Sequence, residues 1–510
     1  MNRCLYNLEL LILATARTPW QDYNEPIKPE SPANYVRQLK GTDVDTIMIC
    51  PTAWKRPLWR SKVDPHWDEE ADKIPQPHFT ADLKFHEKAY FRLREFIKAG
   101  NDPVQTAVDT AKEIGIEPFI SYRMNDHHYL TQEDAFIHPD FWKKNPQFWI
   151  GDGDRHFSYI NPEVRDYYFS LLEELTANYD IAGLELDLMR TPKYFHPDDI
   201  EKGRPIMTEF VRRIRTMLDK YGEERGKRLK LCVRVPHTVE WAKSIGLEVG
   251  QWDELGLIDM VNVSSFFIST PQVDAEGYKA WIKNSPCYGE IHFILDKGQI
   301  YNGFCNNVAR KMTKEMYRGL AAAYLDRGLD GISFFNIDYT RHHFFNEPRR
   351  LHLKDGQPPL AAFKGITDKE ALAKHDKHYF VGPNYSVLPM NNYLDLDMYI
   401  ADKNPADDFK HSILRIKTKN PCQPLEIAAQ FNGVELEEIS WLGELFAPTS
   451  NEALPNREFV KYYNVPVKLI KYGYNKITAV NRSDDPTLWD KLATYDMVEL
   501  ALYKNNSFMD

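Results

Sequence analysis

The stretch Phe119-Ile-Ser-Tyr-Arg-Met-Asn-Asp-His-His128 decides the fold, because a short apolar strand runs into polar and charged residues with no turn residue between them. The strand is predicted over residues 116–121, and Arg123, Asn125, Asp126 and His128 follow it. In parallel α/β proteins, ligands bind at the carboxyl ends of the strands. The stretch therefore predicts a parallel sheet with a functional site at this end, and a solvated polar loop is the alternative.

The same alternation of strand and helix continues along the first two thirds of the chain. Short apolar runs recur at residues 4–14, 45–50, 116–121, 182–187, 229–234, 259–264, 288–293 and 331–335. Segments with helical period separate most of them, including 102–114, 162–179, 207–221 and 310–325. Eight strands with intervening helices predict a (β/α)8 TIM barrel over residues 1–345.

The pattern changes beyond residue 345. A Pro-rich stretch over residues 346–390 is predicted to wrap the barrel or link it to a second domain. Period-two segments follow at 412–418, 425–431, 465–470, 476–481 and 497–503, and Asn432-Gly433 is a strong hairpin turn signal. Residues 391–510 are therefore predicted to form a C-terminal all-β sandwich.

Composition limits the partners that we expect. The 510 residues carry a net charge of −10, which argues against a nucleic-acid partner. We expect no membrane span, since the longest apolar candidate, residues 8–14, is far shorter than the roughly 20 residues a spanning helix needs. The six cysteines form no CxxC pair, and we expect no structural zinc and no cofactor. A homodimer is left open, and so is the compartment, whether secreted, periplasmic or cytoplasmic.

Charged residues alternate with apolar ones in the fourth predicted strand, Gly183-Leu-Glu-Leu-Asp-Leu-Met-Arg190. The alternation predicts that Glu185 and Asp187 face the barrel interior, with Asp187 at the mouth as a candidate catalytic carboxylate. Asn336 and Asp338 are predicted to alternate towards the mouth after the eighth strand. The arginine fork grips a carboxylate through two parallel hydrogen bonds, so a mouth that contains Arg123, Arg190, Arg234 and Asn336 favours an acidic substrate.

Several alternatives stay open from the residues alone. Asp187 could belong to a structural Arg–Asp pair, or it could act with Glu290 as the carboxylate pair of a glycosidase for neutral sugars. A non-catalytic carbohydrate-binding barrel is a further alternative. A metal-dependent hydrolase is the weakest one, since no HxH or HExxH pattern accompanies the histidines.

The arrangement Arg123-Met-Asn-Asp126-His-His128, together with Arg190 and Asn336 after later strands, resembles glycoside hydrolase family 156, the inverting exo-sialidases. The resemblance implies that Arg123 and Arg190 bind the carboxylate and ring substituents of sialic acid. It further implies that His128 activates water with support from Asp126, and that Asn336 contacts the substrate, a glycan. Asn125 and Asp338 are expected to contact the substrate from neighbouring positions.

One departure from the family concerns the general acid, an Asp near the first strand. The corresponding stretch here is Tyr6-Asn-Leu-Glu-Leu10, in which Glu9 is the carboxylate, and Asp22 is the next Asp along the chain. The acid is therefore either Glu9 or Asp22, or the chemistry differs. A neutral imidazole as base has a physical rationale, because it places no second anion beside the carboxylate that sialic acid carries on its anomeric carbon.

Overall fold

The barrel predicted from sequence is confirmed. The structure is a computed structural model, and it describes residues 2–65, 81–126, 128–131, 133, 135–151, 153–266, 268–296, 310–341, 360–382, 390–418, 422, 425–440, 460–483 and 493–505. Eight parallel strands close into a barrel in chain order, with the last strand paired to the first. They are β1 (Arg3–Glu9), β2 (Thr46–Cys50), β3 (Glu117–Arg123), β4 (Gly183–Asp187), β5 (Lys230–Pro236), β6 (Met260–Ser264), β7 (Cys287–His292) and β8 (Gly331–Phe335).

Helices follow most of the strands and cover the outside of the barrel. They are α1 (Ile12–Thr15), α2 (Ser31–Arg37), α3 (Ala81–Lys98), α4 (Pro103–Glu113), α5 (Asp140–Lys144), α6 (Pro162–Asn178), α7 (Ile200–Glu224), α8 (Val239–Ser244), α9 (Val249–Glu254), α10 (Ala275–Trp281) and α11 (Lys314–Asp326). Helix α4 begins as its sequence predicts, because Asp102 accepts a hydrogen bond from the Gln105 amide at 2.9 Å and Pro103 occupies the first helical position. None of the helices among the described residues is long and apolar enough to cross a membrane.

The barrel interior changes from apolar to polar along the strands. At the amino ends, one interior cluster contains Leu5, Met48, Phe119, Cys232, Met260 and Tyr288. Because side chains alternate along a strand, residues two and four positions further on face the interior as well. These positions include Asn7, Glu9, Ser121, Arg123, Arg234, Asn262, Ser264, Glu290 and His292, and Glu185 and Asp187 of β4 lie level with Ser121 and Arg123; all of them are buried. The carboxyl half of the barrel is therefore filled with polar and charged groups.

Two strand boundaries differ from the prediction in a way that matters for the site. The first strand ends at Glu9 and α1 begins at Ile12, so the prediction of a strand through residue 14 is wrong. The third strand continues to Arg123, two residues beyond the predicted end. Glu9 and Arg123 are thus the last residues of their strands, and both side chains point into the mouth of the barrel.

The C-terminal region is built from two antiparallel sheets. Its strands are β9 (Lys377–Val381), β10 (Met390–Asn391), β11 (Tyr393–Ile400), β12 (His411–Thr418), β13 (Ile427–Phe431), β14 (Val434–Glu435), β15 (Glu437–Ile439), β16 (Val460–Asn464), β17 (Gly473–Asn481) and β18 (Thr494–Tyr503). The larger sheet has the order β9-β18-β12-β16-β15 with β10 paired to β18, and the smaller one has the order β11-β17-β13-β14. Two short helices, α12 (Lys369–Ala373) and α13 (Pro405–Asp408), accompany them.

Local sequence signals in this region have mixed outcomes. The Asn432-Gly433 turn is confirmed, since both residues have positive φ and join β13 to β14. The strand predicted over 465–470 is wrong, because Pro466 precedes a 3₁₀ turn over Val467–Leu469. Strand β9 lies inside the stretch predicted to wrap or link, and it pairs with β18. The domain boundary predicted at residue 345 falls outside the described residues.

The barrel and the C-terminal region meet where α11 crosses β9. A Cβ atom built on Gly319 would lie 2.4 Å from the His378 carbonyl oxygen, so only glycine permits this close approach. Ala323 of the same helix belongs to the hydrophobic core of the C-terminal region. The two parts therefore share packed side chains.

Candidate active site

Five side chains at the mouth of the barrel form one connected group, which we call the mouth cluster: Glu9, Arg123, Asp126, His128 and Arg190. Arg123 pairs with Glu9 at 2.7 Å and with Asp126 at 3.4 Å. Asp126 accepts a hydrogen bond from the Nδ1 atom of His128 at 2.5 Å, and its other oxygen lies 3.6 Å from the guanidinium of Arg190. The structure therefore brings together the residues that the sequence placed after strands one, three and four.

His128 has a defined tautomer in this cluster. Arg190 donates a hydrogen bond from Nη2 to Nε2 of His128 at 2.7 Å, and a guanidinium cannot accept one. Nε2 therefore carries the lone pair, and Nδ1 carries the proton that it donates to Asp126. The side chain of His128 is 21% exposed and that of Asp126 is 2% exposed, so the imidazole is the member of this pair that a substrate can reach.

Asp126 is held as a carboxylate. Its burial disfavours the charged form, but His128, Arg123 and Arg190 outweigh that effect and keep its pKa well below the usual range. Its Oδ1 atom also accepts the backbone N–H of His128 at 2.8 Å. Asp126 thus fixes both the main chain and the ring of His128, which is the arrangement of an orienting carboxylate.

Glu9 is the first-strand carboxylate that joins the mouth cluster. Its second oxygen accepts a hydrogen bond from the hydroxyl of Tyr339 at 2.5 Å, while the first oxygen faces Arg123. Asp22, the other candidate acid, lies in a surface loop and pairs with Arg17 at 2.8 Å. Of the two, Glu9 is therefore the one that can reach a substrate bound beside His128.

A second group lies in the neighbouring part of the interior, and we call it the inner cluster: Asp187, Arg234, Ser264 and Glu290. Arg234 is fully buried and contacts Asp187 at 2.8 Å and both oxygens of Glu290 at 2.6 and 2.8 Å. Ser264 donates to Glu290 at 2.5 Å. Burial raises the pKa of Glu290, although Arg234 opposes the shift. Both carboxylates of the alternative two-carboxylate mechanism therefore bind one structural arginine.

Glu185 lies one layer below Asp187. It accepts hydrogen bonds from Ser121 at 2.7 Å and from Asn262 at 3.2 Å. Burial raises its pKa to about 7, which is the expected response of a carboxyl group with no cation in contact. The pair of acidic residues that the sequence places on one face of β4 thus differs in environment, since Asp187 meets Arg234 and Glu185 meets neutral donors.

Asn336 and Asn125, two of the predicted substrate contacts, have different placements. Asn336 follows β8 directly with a φ of 55°, and its buried Oδ1 atom has no hydrogen-bond partner among the described residues. Such backbone strain and an unsatisfied buried oxygen are typical of ligand sites. Asn125 instead uses its amide to hold the loop, donating to the Phe157 and Lys193 carbonyls at 3.1 and 2.6 Å.

The predicted alternation of Asn336 and Asp338 towards the mouth is wrong. The strand ends at Phe335, and Ile337–Arg341 form a 3₁₀ turn, so period two does not continue. Asp338 accepts hydrogen bonds from the Tyr6 hydroxyl at 2.7 Å and from the Gln38 amide at 2.9 Å. Tyr6 alternates with the interior residues of β1 and faces outward, so Asp338 lies outside the mouth cluster.

Sequence reasoning missed Tyr339 and Lys55. Tyr339 lies three residues after Asn336, in the turn that follows the eighth strand. Its closeness to the end of a barrel strand was the sequence signal that could have indicated a place in the site. Lys55 is half-buried, contacts Nδ1 of His138 at 2.9 Å, and has a pKa lowered by desolvation to about 7. It lines a cavity of about 20 Å³ beside Arg123 and Asp126, which is room for about one water molecule.

The cluster contains acids, a base and cations, and its chemistry does not call for a metal. Across the part of the chain that the structure describes, no group of three or more His, Cys, Asp or Glu side chains is arranged to hold a metal ion. His127, one of the histidines considered for such a role, lies outside the described residues. The mouth cluster can bind an anion through Arg190, and it can accept a proton at Nε2 of His128.

Comparisons with known proteins give the following matches. No family model and no curated protein sequence matches the chain. Among solved structures, an α-L-fucosidase from Paenibacillus thiaminolyticus is 13% identical, with 95% of this chain and 97% of that one covered and a TM-score of 0.37. A maltogenic α-amylase from Thermotoga neapolitana is 11% identical, with 98% and 99% covered and a TM-score of 0.40. A chitinase from Chromobacterium violaceum is 9% identical, with 74% and 100% covered and a TM-score of 0.36. These three structural neighbours are glycoside hydrolases by name.

Proposed function

We propose that the protein is a glycoside hydrolase that removes a terminal acidic sugar of the sialic acid class from a glycan, with inversion at the anomeric carbon. The observation that carries the proposal is the chain of contacts Asp126–His128–Arg190. It joins an oriented imidazole base to a cation that can hold a carboxylate, within 2.7 Å of each other. A sialoside carries its carboxylate on the carbon where water attacks, so both groups are needed at the same place.

Substrate binding would also prepare the base. In the free enzyme, the lone pair on Nε2 of His128 is occupied by Arg190. A substrate carboxylate that binds Arg190 through its fork would compete for the same N–H donors. Nε2 would then face a water molecule instead of a guanidinium. Asp126, which already holds Nδ1–H, would stabilise the imidazolium that forms when His128 takes the proton.

Arg123 has a different role from Arg190 in this scheme. Its side chain is 2% exposed and is already paired with Glu9 and Asp126. We therefore assign the first contact with the substrate carboxylate to Arg190 and propose that Arg123 holds the two carboxylates on either side of it. Asn336, with its unsatisfied buried oxygen, would accept a hydrogen bond from a ring substituent.

Glu9 is the proposed acid for the leaving oxygen. In an inverting glycosidase, the acid and the base act from opposite faces of the sugar, with space for a water molecule between base and sugar. Glu9 contacts Nη2 and Asp126 contacts Nη1 of Arg123, so one guanidinium holds both carboxylates. We propose that Glu9 faces the leaving oxygen and that His128 faces the water. Glu9 pairs with Arg123 and accepts a hydrogen bond from Tyr339, as a carboxylate does. It would therefore take up a proton from solvent when the substrate binds, before it donates to the leaving oxygen, and Tyr339 would relay that proton.

The two-carboxylate alternative for neutral sugars has less support. It requires Asp187 and Glu290 to meet the substrate, yet both are buried against Arg234. Removing a partner from such a buried group leaves an uncompensated charge, so these residues would be sensitive to mutation for structural reasons. Loss of turnover in their variants is therefore not evidence of catalysis unless the stability of the fold is measured as well.

The proposal is tested with a panel of aryl glycosides that includes an α-sialoside and several neutral sugars, assayed with and without EDTA. We expect turnover of the α-sialoside alone, and no effect of EDTA. Hydrolysis of a neutral glycoside that survives His128→Ala would favour the two-carboxylate alternative. Binding of a sialoside without turnover would favour a non-catalytic barrel.

A further inference from the structure

A cavity of about 280 Å³ lies between the barrel and the C-terminal region, away from the mouth cluster. Its barrel side is formed by the loop before α10 and by α11, and its other side by β9, β11 and β17. Ligand sites are commonly found at domain interfaces, in pockets of roughly 300–1,000 Å³. The cavity is therefore close to the size of a small-molecule site and lies where such sites occur.

Tyr399 and Tyr474 line this cavity, and Tyr472 packs against Tyr399 beside it. Tyr399 and Tyr474 are directly paired across β11 and β17, with ring centroids 5.1 Å apart and nearly perpendicular. Tyr472 packs against Tyr399 at 6.4 Å. Tyr399 is held from the other side, since its hydroxyl donates to Asp326 at 2.6 Å. Tyr474 is 58% exposed and Tyr472 is 48% exposed, so the ordered rings remain available to a ligand.

The polar groups beside the tyrosines include carboxylates and one neighbouring cation, Lys476, which lies opposite Asp397 and pairs with Asp395. Asp397 is exposed and lies on the same face of β11 as Tyr399, two residues away. Arg327 is the one cation among the described lining residues, and it is bound by Glu276 at 2.8 Å and by the Pro271 carbonyl at 3.0 Å. A ligand with hydroxyl donors can therefore bind the carboxylate oxygens of the lining. An anionic ligand would be repelled by Asp397, and Arg327 would not compensate because it is already paired with Glu276.

From these observations we infer that this cavity is an accessory carbohydrate-binding site that takes a neutral sugar residue, with one apolar sugar face on Tyr474 and hydroxyl groups donating to Asp397. A tyrosine side chain presents a rigid apolar face with a polar tip, which suits the mixed surface of a sugar ring. The rings are already ordered, so binding would cost little side-chain entropy. The site would hold a neutral part of a glycan and does not depend on the function proposed for the mouth cluster.

Titration with maltotriose, cellotriose, N-acetylchitotriose and 3′-sialyllactose, followed by saturation-transfer NMR and calorimetry, tests the inference. We expect at least one neutral trisaccharide to bind with a Kd on the order of 1 mM, as suits a shallow contact with one or two rings. Tyr474→Ala should weaken that binding about tenfold, the loss typical of a truncated aromatic anchor. Asp397→Asn, which keeps the shape of the side chain, should weaken it as well.

Tyr393→Ala is the matched control, because Tyr393 is 53% exposed at the opposite end of β11. It should leave the affinity unchanged, and turnover of a small aryl glycoside should be the same in all three variants. The inference is overturned if no neutral trisaccharide binds, or if Tyr474→Ala and Tyr393→Ala behave alike. It is also overturned if Arg190→Ala abolishes neutral-sugar binding, since the ligand would then occupy the mouth cluster.

Discussion

Replacement of Asp126 by Asn separates the charge of this residue from its size. Asp126 accepts from His128 with one oxygen and faces Arg123 and Arg190 with the other, whereas Asn has a single acceptor oxygen. With that oxygen turned to the two cations, the Asn NH2 group donates to Nδ1 of His128, shifts the ring proton to Nε2 and removes the lone pair that accepts a proton from water. The equivalent Asp→Asn change in a catalytic triad lowers kcat by about 10⁴. We therefore expect Asp126→Asn to lower kcat on an aryl α-sialoside by roughly 10³–10⁴, with KM changed far less.

The same substitution should destabilise the fold. It leaves Arg190 buried near a neutral side chain, while Arg123 keeps Glu9 as a partner at 2.7 Å. Breaking a buried ion pair costs about 3–5 kcal/mol. Because the Arg123–Glu9 pair is retained, we expect Asp126→Asn to lower the free energy of unfolding by about 3 kcal/mol, the lower end of this range. Because the pKa of Asp126 is depressed in the folded state, its contribution is fully present above the unfolded value of 3.8. The stability difference between wild type and variant should shrink as the pH falls below about 4.

Asp154→Asn is a matched control for this experiment. Asp154 makes the same Asp-x-His contact, accepting both the ring Nδ1 and the backbone N–H of His156, but it also pairs with Lys193 at the surface. Stopped assays for turnover and urea unfolding should be run on both variants. Asp154→Asn should keep turnover within about threefold of wild type, as expected for a contact outside the reacting groups. If Asp126→Asn retains more than a tenth of wild-type turnover, Asp126 does not orient the base.

The other substitutions test separate parts of the site. Arg190→Ala should cost about 2–5 kcal/mol of transition-state binding on acidic glycosides. Arg190→Lys should restore little of this binding, because lysine lacks the planar fork, and near-normal kcat/KM in both variants would contradict an acidic substrate. Glu9→Gln should slow substrates with poor leaving groups more than aryl glycosides, and an equal, small loss on both would point to another acid. Burial raises the pKa of Glu185 to about 7 in the folded state, so ionisation of this residue opposes folding of the wild type as the pH rises from about 4.5 to 7. The Glu185→Gln variant should therefore gain up to roughly 3 kcal/mol of unfolding free energy relative to wild type over this range. A difference in urea unfolding that does not change with pH would contradict this.

The fold was predictable because the barrel repeats one pattern. Each strand is a short apolar run followed by a helical period, and eight repeats leave little choice of architecture. Strand ends were less predictable. The run from Cys4 to Ala14 is apolar except for Asn7 and Glu9, and the apolar residues continue without a break from the end of β1 into α1. The strand predicted over 465–470 failed because its pattern ignored the restriction that Pro466 imposes on the backbone.

The site was predictable where its residues follow strands directly. Arg123, Asp126 and His128 lie within six positions of one another, so a single strand end brings them together. Contacts between distant segments were not accessible in this way. The Tyr339–Glu9 hydrogen bond joins residues 330 positions apart, and it depends on a turn that begins with the left-handed backbone of Asn336. The same turn directs Asp338 away from the mouth.

The anomer that forms first during hydrolysis tests the central claim most directly. If His128 acts as a base on water, the reaction is a single displacement, and water enters on the face opposite the leaving group. Proton NMR of an α-sialoside digest in its first seconds, before mutarotation, should show β-sialic acid as the initial product. If the α-anomer appears first, the mechanism retains configuration, and the role assigned to His128 is wrong.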